Sequence, residues 1–518
     1  MTSAATDAAP ADLLLTNGTV HPLDGSAAVE AVAVRDGDII QRGDTWEVGF
    51  REDVDTQVID LDGRHLLPGF IDAHTHLEVV GRHELEADCS GADTPTACLD
   101  RLADARDRRT GWVLGYGYDE SRWDGGYLTR DQLDTVSTDR PVVAFREDLH
   151  LASVNSVVLD RHAETMPEDD IRTADGEPTG VLVEGALEVI REVTRADPDR
   201  MRAYLRAAQA TAVERGITAV HEMVRHSEAP RVYRELDQAG ELSLRVRLNY
   251  WRDHLDAILE AGLRTNHGSD RVQVGGIKSY TDGSIGGRTA RLSEPYADTL
   301  DNAEHRGDWV VPPAELRELV ERVDDAGLQL TVHAIGDAAI TATLDAYEAA
   351  DTRAESRHRI EHAEMLTDDL LDRLDGSGVI VSAQPNFLKW AQADGLYAER
   401  LGDRRRRGSN RFGALVDRDL TLAFGSDCMP LDPLFGIAQV VDAPTPAQSL
   451  SVTEALKAYT AGGAYAGFDD DRFGTVEVGT SADLVALEQS PWATDDIAEI
   501  DVAMTIVGGE IVYDSRDG

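Results

Sequence analysis

Lysine, cysteine and long apolar runs are scarce in this chain of 518 residues. Of its 50 basic residues only three are lysines: Lys278, Lys389 and Lys457. The three cysteines, Cys89, Cys98 and Cys428, are too few for a disulfide framework, which favours a reducing compartment. No window holds about 18 uninterrupted apolar residues, and the first residues show neither a basic start nor an apolar stretch. We therefore expect a cytoplasmic protein without a membrane partner.

Acidic residues, in contrast, are abundant. The chain carries 96 of them and a net charge of −46. They are spread along the whole chain and the apolar periodicity persists between them, which argues against disorder. A uniformly acidic surface suits concentrated salt, where the screening length for repulsion between like charges falls to a few ångströms. The sequence thus predicts a halophilic protein, with an acidic surface that serves a basic partner as the alternative. Nucleic acids are not expected as partners.

The two ends of the chain share a β-rich texture. Short alternating segments near the N-terminus, such as AVAVRDGDII, are broken by Asn-Gly and Asp-Gly turns. The C-terminal segments GTVEVGTSADLVALE and AMTIVGGEIVYD repeat the pattern. Two similar ends around a different middle predict one small β-sandwich domain built from residues 1–66 and 470–518.

The middle of the chain alternates strands with helices. The predicted strands are 67–74, 217–223, 244–250, 272–280, 328–336, 357–365, 379–387 and 420–428. The segment 312–327 shows the pattern of an intervening helix, with proline at its start, apolar residues at helical spacing and a closing glycine. Eight strands with helices between them predict an α/β fold, a parallel TIM (β/α)8 barrel over residues 67–469. The long gap at about 78–200 predicts an inserted subdomain after the first barrel strand.

Polar residues fall at the ends of several of these strands. Because the C-terminal ends of barrel strands face the active site, these side chains are expected to converge on one rim. They are His74, His76, Lys278, His333, His362 and Asp427. Neutral imidazoles and a carboxylate suit zinc and similar divalent metals.

The pair His74 and His76 has a geometric reason to act together. Residues two apart on a strand face the same way, so both rings can contact a single ion. Alone the motif is weak, and a single buried histidine such as His333 or His362 is more often a packing residue. The combination across several strands is the stronger signal. Histidines elsewhere, including His21 and His65, are expected to be surface or packing residues.

Several motifs carry a family resemblance. They are LLPGFIDAHTHL, GGIKSYTDGSIGGRTA, TVHAIGD, RIEHAEM and AFGSDCMPLDPL. Together they resemble the amidohydrolase superfamily and, within it, amidohydrolase family 3, the group of N-substituted formamide deformylase-like enzymes. The resemblance covers most of the chain. It implies a distorted TIM barrel with one or two divalent metals, and a small β-sandwich formed by the two termini.

The resemblance also implies the metal ligands. They are His74, His76, Lys278, His333, His362 and Asp427, holding two zinc ions, with manganese, iron or nickel as alternatives. For Lys278 it favours a carbamate, formed from the amine and carbon dioxide, that bridges the two ions. Arginine cannot form this group because its guanidinium stays protonated. The alternative is a lysine paired with Asp282 or Glu222.

The expected reaction is hydrolysis of a carbon–nitrogen bond other than a peptide bond, in a small amide or formamide. A metal-activated hydroxide attacks, and Asp427 acts as general base; Asp427 and Lys278 are the predicted catalytic residues. The alternatives are a cyclic amidohydrolase, a deaminase, a phosphoesterase, an isomerase or lyase, and a non-catalytic barrel. No Gly-x-Ser-x-Gly elbow or phosphate loop supports serine or nucleotide hydrolysis.

The sequence indicates the substrate-binding residues less clearly than the metal ligands. Arg288, His150 and Gln384 are the candidates, with a structural ion pair as the alternative for Arg288. The aromatic residues Trp112, Tyr116 and Trp123 are expected to form the core of the insertion, or else a wall of the pocket. A homodimer is expected from base rates alone.

Overall fold

The structure is a computed structural model that describes residues 9–108, 110–120, 123, 126–146, 151–298 and 304–517. The chain divides into two compact units. The first contains Met1–His76, Gln209–His226 and Tyr233–Gly518. The second contains Leu77–Ala208 and Ser227–Val232.

A parallel sheet of eight strands forms the centre of the first unit. In chain order the strands are Phe70–Thr75, Ile217–Val224, Arg245–Trp251, Val272–Tyr280, Gln329–Ala334, Arg359–His362, Ile380–Ala383 and Leu422–Phe424. Each pairs with the next in parallel. The sheet nearly closes, because the Asp427 N–H donates to the His74 carbonyl oxygen at 2.7 Å. The predicted TIM barrel is confirmed.

The barrel strands are buried on both faces, as is expected where helices cover the outside and side chains fill the inside. Every residue of Ile217–Val224 is buried. The helix Pro313–Asp325 shows how the covering layer is encoded. Its buried residues are Leu316, Leu319, Val320 and Val323, which form one stripe of the helix.

Helices connect most of these strands and occur in both units. The α-helices of the described residues are Thr45–Val48, Leu77–Leu85, Pro95–Arg108, Arg130–Asp134, Ser156–His162, Glu184–Val193, Pro198–Glu214, Ala229–Gln238, Leu255–Glu260, Pro313–Asp325, Asp337–Ala349, Asp368–Leu374, Leu396–Arg407, Phe412–Val416, Pro433–Val441, Val452–Ala458 and Ala461–Ala466. In the described part of the chain, none of them combines the length and the apolar composition needed to cross a bilayer.

Two further sheets of the first unit form an additional domain. One contains Leu13–Thr16, Ala31–Arg35, Asp38–Gly43 and Gln57–Asp60. The other contains Thr19–Val20, His65–Pro68, Leu484–Leu487, Val502–Val507 and Glu510–Asp514. A shared apolar core includes Leu15, Val32, Leu484 and Ile506, so both ends of the chain contribute to it. The sequence-based boundaries of the domains stay predictions.

The second unit has its own sheet and core. Its strands are Ala87–Asp88, Val113–Tyr118, Val142–Arg146, Leu151–Val154, Ile171–Ala174 and Glu177–Val183. Tyr116 stacks on Phe145 with ring centroids 4.9 Å apart, and Trp112 packs against the same cluster. Trp123 stacks on Tyr118 at 6.1 Å. These contacts place the aromatic residues in the core of this unit, as the sequence favoured.

Candidate metal centre

Three of the predicted ligands meet at the C-terminal end of the first barrel strand. Ligand atoms of His74, His76 and Asp427 all lie within 4.8 Å of one another. Asp427 Oδ1 is 3.3 Å from His76 Nε2 and 3.8 Å from His74 Nε2. Asp427 follows the eighth strand by three residues, in a left-handed conformation with φ of 50°, instead of lying within a strand as the sequence suggested.

The two other histidines adjoin this group. The His362 ring centroid is 4.9 Å from that of His74 and 4.5 Å from that of His333. Each ring is oriented by an acceptor: His362 Nδ1 lies 2.6 Å from Gln384 Oε1, and His333 Nε2 lies 3.0 Å from the Gly283 carbonyl oxygen. One ring nitrogen of each histidine is therefore protonated and the other is left for a ligand.

The same pattern holds for the His-x-His pair. His76 Nδ1 lies 3.0 Å from the Met223 carbonyl oxygen, and His74 Nδ1 lies 2.5 Å from Glu361 Oε2. In both residues Nε2 is the nitrogen that faces Asp427. In His74 and His76 alike, Nδ1 is thus the nitrogen held by an acceptor, and Nε2 is the nitrogen that could contact a metal.

Lys278 lies beside this group as a fully buried amine. Its Nζ has no hydrogen-bond partner among the described residues, and it lies 5.1 Å from the centroid of the Tyr280 ring. Burial lowers the pKa of Lys278 to about 8, although Glu361 and Asp427 act in the opposite direction. The alternative ion pair with Asp282 or Glu222 is not present within the described part of the chain.

Asp282, the nearest of those two alternatives in sequence, has a structural role. Its carboxylate accepts backbone N–H groups of Ile335 at 3.0 Å, Gly336 at 2.8 Å and Arg291 at 2.7 Å. Burial nevertheless raises the pKa of Asp282 to about 7. This carboxyl group therefore ties the loop after the fourth strand to the loop after the fifth.

The sequence did not single out Glu361, which lies two residues after Arg359 on the sixth strand. Its Oε1 lies 2.8 Å from Arg359 Nε and accepts from the Thr331 hydroxyl at 2.7 Å, while its Oε2 faces His74. Burial raises the pKa of Glu361, but Arg359, His74 and Lys278 outweigh it and hold that pKa well below its usual range. Glu361 is therefore a buried carboxylate that orients a candidate ligand.

Arg359 was also missed, and it holds Glu361 from inside the barrel. Its guanidinium donates to the Ala73 carbonyl oxygen at 2.5 Å and to the Ser382 hydroxyl at 2.8 Å. A third contact joins it to His221 Nδ1 at 2.9 Å. The available signal was the alternation on this strand, which turns Arg359 and Glu361 to the same side.

Burial and nearby charges together shift the pKa values of the candidate ligands; burial lowers the pKa of His76, but Asp427 and Glu222 outweigh it and raise that pKa. Burial lowers the pKa of His74 to about 4 and that of His333 to about 3, with Lys278 acting in the same direction. Burial raises the pKa of Asp427, but His76, His74 and His362 outweigh it and lower that pKa far below its usual value. Imidazoles beside an ionised carboxylate form a donor set that suits divalent zinc.

The three residues predicted to bind the substrate lie in different surroundings. Arg288 donates to Asp298 Oδ2 at 2.6 Å through Nη2 and at 3.1 Å through Nε, so its guanidinium is engaged in an ion pair. Gln384 lies in the centre and contacts His362. His150 lies outside the described residues. The substrate-binding roles of these three residues stay predictions.

A family model described as the amidohydrolase family matches residues 57–513. The chain belongs to the amidohydrolase family. This amidohydrolase is therefore a metal-dependent hydrolase, and the predicted class, hydrolases of carbon–nitrogen bonds other than peptide bonds, is confirmed. The family resemblance drawn from its motifs is confirmed as well.

Three relatives show how far the similarity extends. The amidohydrolase is 30% identical to an uncharacterized metal-dependent hydrolase from Pyrococcus furiosus, with a TM-score of 0.82 over 93% of this chain and 99% of that one. It is 31% identical to Protein LONG AFTER FAR-RED 3 of Arabidopsis thaliana, over 97% of this chain and 92% of the relative. It is 26% identical to N-substituted formamide deformylase of Arthrobacter pascens, over 97% and 98%.

Proposed function

We propose that this amidohydrolase cleaves the amide bond of a small substituted formamide or N-acyl amine. The observation that carries the proposal is the group His74, His76 and Asp427 beside a fully buried Lys278 amine without a hydrogen-bond partner among the described residues. Burying an amine without a hydrogen-bond partner raises the free energy of the folded protein unless a further group binds to it. The similarity to an N-substituted formamide deformylase over nearly the whole chain supports the same bond type.

The residues fit a divalent metal. Four imidazoles and one carboxylate favour zinc, with manganese, iron or nickel as alternatives. We propose that His74, His76, His333, His362 and Asp427 would hold two ions and that Lys278, as a carbamate, would bridge them. The uncharged amine that carbamate formation requires is favoured by the burial that lowers the pKa of Lys278 to about 8. When bound, the metal supplies Lewis acidity, which lowers the pKa of water and polarises a carbonyl group.

Asp427 is the proposed general base. Its low pKa keeps the carboxylate ionised at neutral pH, so it can accept the proton of the attacking water. A carbon–oxygen bond then forms at the carbonyl carbon and the carbon–nitrogen bond breaks. Asp427 returns the proton to the departing nitrogen, which leaves as a neutral amine. His362 and His74 are held in place throughout by Gln384 and Glu361.

Formate or acid release tests this function. The protein is purified in molar potassium chloride without chelator, its metal content is measured, and N-alkyl formamides, N-acyl amines and cyclic amides are supplied. We expect release from the open amides, and a loss of about 100-fold or more in kcat in Asp427→Asn with the fold retained. Turnover of cyclic amides alone would favour a cyclic amidohydrolase. No bound metal in a folded protein would favour a non-catalytic barrel.

A further inference from the structure

Arg225 stands on the rim that carries the candidate metal centre. It directly follows the second barrel strand, Ile217–Val224, at the end where barrel enzymes place their active sites. Two residues before it, the Met223 carbonyl oxygen accepts the hydrogen bond of His76. The Arg225 side chain is exposed. This position puts a solvent-accessible cation next to the site without making it a metal ligand.

A series of ring contacts joins Arg225 to the centre. The Arg225 Cζ lies 4.7 Å from the Trp251 ring centroid, and the Trp251 and Tyr280 centroids are 4.6 Å apart. Tyr280 in turn stacks on His333 at 4.4 Å with an interplanar angle of 20°. The guanidinium and the candidate ligands therefore belong to one connected site.

Arg225 is also unusual in its charge environment. Within the described part of the chain its guanidinium forms no ion pair, although the chain has 96 acidic residues for 50 basic ones. The neighbouring Asp253 carboxylate lies 3.3 Å from His226 Nε2 and 3.9 Å from Arg252 Nε. Arg288, the cation that the sequence suggested for a substrate carboxylate, is already bound by Asp298.

A cation–π contact does not use up the N–H donors of a guanidinium. The Arg225 guanidinium lies over the Trp251 ring and carries five N–H donors, so that donors not facing the ring can bind a carboxylate, which accepts two of them. We propose that Arg225 binds a carboxylate on the substrate of this amidohydrolase, an inference that rests on the proposed amide hydrolysis. The rings of Trp251 and Tyr280 lie between Arg225 and His333, so this carboxylate sits at the far end of a spacer from the scissile bond.

Matched substrates of increasing length test the proposal. The carboxylate series is N-formylglycine, N-formyl-β-alanine, N-formyl-4-aminobutyrate and N-formyl-6-aminohexanoate; the neutral series consists of N-formyl alkylamines of equal length ending in a methyl group. Their kcat/KM values are compared in wild type, Arg225→Gln, Arg225→Lys and Arg252→Gln. Arg252 is the control because it is a nearby rim cation with carboxylate partners in Asp253 and Glu315. Calorimetric binding of unreactive N-methanesulfonyl analogues gives a second readout.

We expect the wild type to prefer the carboxylate at one of the longer spacers by about tenfold or more, the range for hydrogen bonds between charged groups. Arg225→Gln should lose this preference, Arg225→Lys should restore part of it, and Arg252→Gln should keep it. Equal losses on both series, or no preference at any length, would overturn the proposal. Absence of formamide hydrolysis would contradict the proposed function, and the binding of the sulfonamides would then decide the role of Arg225 by itself.

Discussion

His74 Nδ1 lies 2.5 Å from Glu361 Oε2, and both side chains are buried inside the barrel. The carboxylate fixes the tautomer of the imidazole and turns Nε2 toward Asp427. It is itself held by Arg359 and Thr331. A carboxylate behind a ligating histidine raises the basicity of that ligand and limits its motion. The pair therefore prepares His74 for a metal.

Replacing this carboxylate should weaken metal binding. Glu361→Gln keeps the shape of the side chain but removes the charge that orients His74. We expect the metal affinity, measured by competition with a chelator, to fall by about 10- to 100-fold. Because a partner of a buried ion pair is lost, we also expect a lower unfolding free energy, by about 3 kcal/mol.

Glu364→Gln is the matched control for that experiment. Glu364 is a buried carboxyl group whose Oε2 accepts a hydrogen bond from Tyr397 at 2.5 Å, and burial raises its pKa to about 7. An amide in its place should leave the metal affinity within about twofold, because surroundings that accept a neutral carboxyl group accept a neutral amide at modest cost. Equal affinities in Glu361→Gln and wild type would show that Glu361 does not support the ligand.

We expect the metal centre to require an amine at position 278 rather than a positive charge. Lys278→Arg keeps a cation but cannot form a carbamate. We expect the metal content by elemental analysis to fall from about two ions per chain to about one. A carbamate carbon signal should appear in wild type incubated with ¹³C-bicarbonate and be missing from the variant. Lys457→Arg, on the helix Val452–Ala458, should match wild type in both measurements. A carbamate signal that survives in Lys278→Arg would assign it to another amine.

The pair His21 and His65 should make stability depend on pH. His21 Nε2 lies 3.0 Å from His65 Nδ1, and the His21 ring centroid is 4.3 Å from that of Trp492. Burial, with His65 acting in the same direction, lowers the pKa of His21 to about 4. Since the unfolded value is about 6.5, the folded state resists protonation. The contribution of neutral His21 to the free energy of unfolding is therefore fully present above pH 6.5. It is lost as the pH falls from 6.5 toward 4.

His21→Phe should remove part of this dependence while keeping a ring against Trp492. Between pH 7 and 5, we expect the unfolding free energy of wild type to fall by about 1 kcal/mol more than that of the variant, after allowance for partial exposure. Chemical denaturation at the two pH values measures the difference. His267→Gln, at an exposed histidine, controls for the loss of a histidine as such. Parallel pH profiles of His21→Phe and wild type would count against the prediction.

Salt should stabilise the protein through its charge. The net charge of −46 opposes compaction by self-repulsion, which about 1 M salt screens over roughly 3 Å. We expect the thermal midpoint to rise by several degrees between about 0.1 and 2 M potassium chloride. Sucrose at equal osmolality separates screening from general exclusion effects. A midpoint independent of potassium chloride would leave the halophilic interpretation without support.

Much of the barrel could be predicted because its strands are buried on both faces. Segments such as Ile217–Val224 consist mostly of apolar residues, and a short apolar segment of this kind indicates a buried strand from the sequence alone. The candidate ligands could be predicted because they lie at the C-terminal ends of these strands, and in a barrel those ends meet at one rim. Strand ends were less certain. Asp427 follows its strand in a left-handed turn, a conformation that local sequence patterns do not specify.

The sequence by itself determined the order of strands and helices, the acidic surface and the residue types available to a metal. Only the tertiary structure decided which of the many acidic groups faces which cation. His74 and Glu361 are 287 residues apart, Arg288 is bound by Asp298, and the Arg225 guanidinium lies over the Trp251 ring. Folding of the chain creates these neighbours, and burial and nearby charges then shift the pKa values of His74 and Glu361. Periodicity along the chain encodes which side a residue faces, whereas Coulomb and desolvation energies depend on distances and burial that only the folded chain defines.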